Sequence, residues 1–128
     1  MKVTQELDSL RNAVPGCSLV IFGDLFSQIT LCVSSSRKLK QEQLDAYCVS
    51  AGNLLDGDVA NSIARVLGVP NAGSLSQAVV LNPGEVQVFL RSPFEEADVL
   101  CCIGSMQSDI GEIALAAGET FERIARLQ

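Results

Sequence analysis

Val99-Leu100-Cys101-Cys102-Ile103 is a run of five apolar residues, closed by Gly104 and preceded by the charged loop Ser92-Pro93-Phe94-Glu95-Glu96-Ala97-Asp98. A short apolar run with no polar alternate positions is expected of an interior strand covered on both faces. Just upstream, Val86, Val88 and Leu90 alternate with Gln87, Phe89 and Arg91. That two-residue period marks a strand, and Asn82-Pro83-Gly84 joins it as a hairpin to a β-rich segment from Ser74 to Leu81. Downstream, Asp109 and Glu112 have capping-box spacing, and Ile110, Ile113, Ala114, Ala117, Phe121, Ile124 and Ala125 repeat at helical spacing towards the C-terminus.

The first half of the chain reads in the same way. Val3, Leu7, Leu10 and Val14 form an apolar stripe on a helix over Thr4 to Val14, which stops before Pro15-Gly16. Cys17 to Phe22 is a strand, Gly23-Asp24 a turn, and Phe26 to Val33 a second strand, so these make a hairpin. After Ser34-Ser35-Ser36, Leu44, Tyr47, Cys48, Ala51, Leu54 and Leu55 fall on one face of a long helix. Asp56-Gly57-Asp58 weakens it, yet Val59, Ile63, Val66 and Leu67 keep the period up to Gly68-Val69-Pro70, so the helix runs on with a kink or restarts as a second piece. The element order is α-β-β-α-β-β-β-α, an α+β class in which helices sandwich a five-stranded sheet.

Composition narrows the function. At 128 residues the chain is expected to form one domain, 1–128, large enough to bury its core without a metal or disulfide staple. Nine Lys and Arg against fifteen Asp and Glu give a net charge of −6, which argues against nucleic-acid binding through phosphate neutralisation. There is no His, which removes the usual general base and the commonest metal ligand. Five cysteines without C-x-x-C spacing, four of them in apolar runs, read as reduced core thiols of a cytoplasmic protein. No stretch approaches a membrane span, and Met1 to Glu6 has no apolar leader segment.

Each candidate for chemistry has a plainer reading. Cys101-Cys102 suggests redox work, but adjacent strand residues point to opposite faces; a thiol enzyme using Cys17 or Cys102 is the least favoured alternative. Asp56-x-Asp58 lacks the downstream oxygen ligands of a calcium loop and reads as a helix break. Gly23-Asp24 lacks any phosphate-loop pattern. Glu95, Glu96 and Asp98 form a carboxylate cluster that reads as a solvated loop, and Asp109-x-x-Glu112 reads as a helix cap. No catalytic, cofactor or metal site is therefore expected. Arg37, Lys38 and Lys40 form the single basic cluster and are candidates for partner contact.

An open sheet leaves edges, and Leu75-Ser76-Gln77-Ala78-Val79-Val80-Leu81 carries no charge and no proline to discourage pairing. Two arrangements answer this: the segment Val69 to Gly73 covers the strand, or a second copy pairs with it. The second is preferred. The dimer interface then comprises Leu75, Gln77, Ala78, Val79, Val80 and Leu81.

Taken together, the Pro15-Gly16-Cys17 lead into the strand ending at Phe22, the Glu85 to Leu90 strand EVQVFL, the Val99 to Ile103 strand VLCCI and the C-terminal helix Ile110 to Leu127 resemble the roadblock/LC7 domain. The resemblance spans nearly the whole chain, and its motifs specify fold more than function. It implies a profilin-like antiparallel sheet with a long helix on one face and the terminal helices on the other. It also implies homodimerisation by sheet extension through the third strand, here Leu75 to Leu81. The role implied is that of a non-enzymatic adaptor or regulator: in bacteria, accompanying Ras-like small GTPases; in eukaryotes, serving dynein or endosomal scaffolds. The longer segment between Leu55 and Gly73 departs from the common pattern. The alternative from another class is a small-molecule sensor of profilin-like or PAS-like type, disfavoured by five Phe, one Tyr and no Trp.

Overall fold

The computed structural model describes residues 2–68 and 75–127, except the side chains at 59 and 64. Its elements are α1 (Val3–Ala13), β1 (Cys17–Asp24), β2 (Ile29–Ser35), α2 (Gln41–Asp56), α3 (Asp58–Leu67), β3 (Gln77–Asn82), β4 (Glu85–Arg91), β5 (Asp98–Gly104) and α4 (Ile110–Arg126). The five strands form one antiparallel sheet in the order β2-β1-β5-β4-β3. The apolar run 99–103 is central, as its lack of alternation requires, and it is buried on both faces.

The strand period of two sorts residues into two layers. Val20, Phe22, Val88, Leu90 and Cys102 pack with Leu7, Leu10, Ile113, Phe121 and Ile124 of α1 and α4. Leu19, Ile21, Phe89 and Cys101 pack with Leu44, Cys48 and Leu55 of α2. Cys101 and Cys102 thus enter opposite layers. Each fully buried Leu or Ile contributes about 1.5–3 kcal/mol, and this sum rather than helix propensity holds the sandwich. An ion pair closes the first layer at its rim: the Arg123 Nε donates to buried Glu6 Oε1 at 2.6 Å, joining α4 to α1.

Three expectations need correction. The first concerns Gly23-Asp24, which continues β1 instead of turning. The turn lies at residues 25–28, where Asp24 Oδ1 accepts from the Phe26 and Ser27 amides and Gln28 adopts φ 60°. Gly23 serves close packing: a Cβ there would lie 2.5 Å from Cys48 Sγ, so its absence lets α2 settle on the sheet. The second concerns the element order, which had one helix here: of the two courses left open, a kink or a restart, the helix restarts after Gly57 and gives two helices. The Asp56 carboxylate at the break pairs with Arg91 of β4 and so fixes the end of α2 over the sheet. The third is that Ile63, Val66 and Leu67 do not extend the core stripe. They are exposed, whereas Ala60 of α3 is buried.

Candidate interaction surface

Among the described residues the sheet ends in β3, which pairs with β4 alone through six consecutive register positions from Gln77↔Leu90 to Asn82↔Glu85. Its alternation places Ala78 and Val80 against the α2 layer, partly buried. Val79 and Leu81 point to the other face, where they are 39% and 62% exposed. Among the described residues no side chain hydrogen-bonds to the β3 backbone, so its outer row of N–H and C=O groups is open to another strand. Of the residues expected at the interface, Gln77, Ala78, Val79, Val80 and Leu81 lie together on this strand. Leu75 precedes it, with its amide donating to the Leu55 carbonyl at 2.8 Å and its side chain against the α2 layer. The segment Val69 to Gly73, expected as an alternative cover, lies outside the described residues.

Sequence reasoning missed a second apolar feature. Ile63, Val66 and Leu67 of α3 line an apolar groove of about 330 Å³, with Val66 84% exposed. The helical spacing of these residues was the available signal, but spacing cannot tell a stripe that meets its own core from one left facing outward.

The basic cluster divides. Lys40 precedes α2, its amide donating to Gln43 Oε1 at 2.8 Å, and its charge faces solvent with that of Lys38. Arg37 lines two open grooves, one of about 380 Å³ with Leu39, Gln43, Tyr47 and Gln87, the other of about 310 Å³ with Ser18, Glu85 and Ser105. Burial and then the Glu85 carboxylate push the Tyr47 phenol up, so it stays a neutral hydroxyl at pH 7. The grooves offer one cation, one carboxylate and neutral hydroxyls and amides, which suits polar contact with a partner and supplies no nucleophile–base pair.

The remaining candidates resolve into structural roles. Burial pushes the Cys17 and Cys102 thiols up, and the Cys48 thiol together with burial does the same to Cys101. Cys48 moves the other way, because Cys101 and Thr30 hydrogen-bond to it. Protonated, buried thiols are poor nucleophiles, which weighs against a thiol enzyme at Cys17 or Cys102. Asp109 caps α4, its Oδ1 accepting from the Glu112 amide at 3.1 Å. Among the described residues no helix is long and apolar enough to cross a membrane.

The sequence has no significant match among protein-family models or curated proteins. Solved structures do match. A roadblock/LC7 domain from Streptomyces avermitilis superposes with a TM-score of 0.78 at 12% identity, covering 99% of this chain and 98% of that one. The gliding protein MglB from Thermus thermophilus gives 0.74 at 14% identity over 97% of this chain and 86% of that one. Profilin from Schizosaccharomyces pombe gives 0.59 at 8% identity over 98% of both chains. The sheet order, the two helical layers and these superpositions together show that the chain has the roadblock/LC7-like fold, with profilin as a more distant neighbour.

Proposed function

We propose that this chain is a single-domain, non-enzymatic adaptor or regulator of roadblock type that works in the cytoplasm as a homodimer. Two copies pair edge to edge through Gln77–Leu81 into one ten-stranded sheet. The joined α2–α3 layers, with Arg37, Lys38 and Lys40 at their margin, receive a protein partner. A Ras-like small GTPase is the first to test. The observation that carries the reading is the β3 edge: regular, uncharged, joined among the described residues to one neighbour only, and flanked by exposed Val79 and Leu81. The likeness of fold to MglB supports a regulatory role, and the GTPase assignment rests on that likeness alone.

Equilibrium sedimentation tests the pairing, with a dimer expected at concentrations of tens of micromolar, about −6 kcal/mol or better at the 1 M standard state. Titration of a nucleotide-loaded Ras-like GTPase tests the partner. Saturable binding that is lost when Arg37, Lys38 and Lys40 are changed to Glu supports the proposal, whereas a dimer indifferent to every such GTPase leaves only the scaffold role.

A further inference from the structure

On the opposite layer from α2, the β4–β5 loop meets the C-terminal half of α4. Two adjoining grooves lie there, of about 240 and 340 Å³, and both are lined by Phe94 and Ala125. Phe94 stands at their junction, 57% exposed, in a loop held by the buried Ser92 hydroxyl, which accepts from the Phe94 and Glu95 amides at 3.0 and 3.2 Å. An aromatic ring held out on a fixed loop over a groove is the form of an interface anchor.

The groove walls have a definite charge. Glu95 and Asp98 line the inner groove, and Glu122 the outer one, where Arg126 is the single cation. Asp98 also sits directly across from Asp24 at the end of the β1–β5 ladder. Like charges facing across strands repel. Burial, then Glu95 and Asp24, accordingly raise Asp98 above the ordinary carboxylate range. The protein's own cations do not relieve this: among the described residues the ion pairs are Arg91–Asp56 and Arg123–Glu6.

We infer that the Phe94 groove is a second docking surface, which takes a short cationic segment of a partner protein, its apolar side chain against Phe94 and Ala125 and its Lys or Arg groups beside Glu95, Asp98 and Glu122.

Full-length ¹⁵N-labelled protein titrated with a short synthetic peptide alternating leucine with lysine and arginine tests it. Amide shifts are expected at 92, 94–98 and 119–126. Phe94→Ala, and separately Glu95→Gln with Asp98→Asn and Glu122→Gln, should each weaken binding about tenfold or more, the scale of an interface anchor. A charge-matched set elsewhere, Glu42→Gln with Asp58→Asn and Glu112→Gln, should leave it within about twofold, as expected of screened distant charges. Equal losses in the two charge sets, shifts scattered over the acidic surface, or no binding near 1 mM, about −4 kcal/mol, would overturn the inference.

Discussion

The two edges of the sheet are alike in sequence and unlike in structure. β2 reads Ile29-Thr30-Leu31-Cys32-Val33-Ser34-Ser35 and β3 reads Gln77-Ala78-Val79-Val80-Leu81-Asn82; neither carries a charge or a proline. Yet β2 is broken by a bulge, because the register jumps from Phe22↔Cys32 to Gly23↔Thr30 and leaves Leu31 without a partner. Bulges twist an edge and interrupt its row of hydrogen-bonding groups. Helices also hold β2 from both sides. Asp45 of α2 accepts the Thr30 amide at 2.8 Å, while Ser34 donates to Asp8 and accepts from Arg11 of α1. By contrast, β3 keeps a continuous register, with nothing among the described residues bonded to its outer side. An edge can be closed by geometry as well as by charge, and among the described residues geometry closes β2 and not β3.

Arg91 is where that contrast breaks most easily. Its guanidinium pairs with Asp56 and donates to the carbonyls of Leu75 and Glu96, so it ties the approach to β3 to the end of α2. Arg91→Ala should cost about 3 kcal/mol, since it orphans a half-buried carboxylate and two carbonyls, read as a lower urea midpoint at unchanged slope. Beside the other edge, in β1, Gly23→Ala forces a methyl into Cys48 Sγ and should cost about 2 kcal/mol. The double variant with Cys48→Ala should lose less than the sum of the two single losses, because the clash is shared.

A smaller effect sharpens the comparison. The Thr30 amide and the Gln41 side chain hydrogen-bond to Asp45, and the Thr30 bonds hold its carboxyl below the ordinary range. A depressed folded value contributes stability above the unfolded pKa of about 3.9, lost as pH falls through the folded value. Thr30 amide protection should therefore persist at pH 5 and fade only in stronger acid. Asp45→Ala should speed Thr30 exchange about tenfold at neutral pH while the amides of β5 keep their protection.

Much of this was legible in the sequence. The unbroken run at 99–103 is expected at the centre of the sheet, and the alternation at 85–91 places a strand beside a hairpin turn; the structure agrees, because burial on one face or two is written directly into hydrophobic period. Gly23 was harder to read, since a glycine that turns the chain and one that admits a cysteine from a facing helix look identical until the helix is in place. The same limit hid the exposed stripe Ile63, Val66 and Leu67: period reports a helix face, but what covers that face is a tertiary fact. Of the candidate interface, the uncharged β3 strand was visible and its advantage over β2 was not. The bulge and the Asp45–Thr30 bond appear only once α2 lies on the sheet.

In the proposed dimer β3, and not β2, joins the two copies. Multi-angle light scattering of the wild type beside Val79→Lys and Leu31→Lys tests it most directly, since each variant sets a charge on one edge. A wild-type mass near twice 13.6 kDa, a folded monomer for Val79→Lys and an intact dimer for Leu31→Lys are expected. A monomeric wild type, or a dimer that survives Val79→Lys and dissociates with Leu31→Lys, would contradict it.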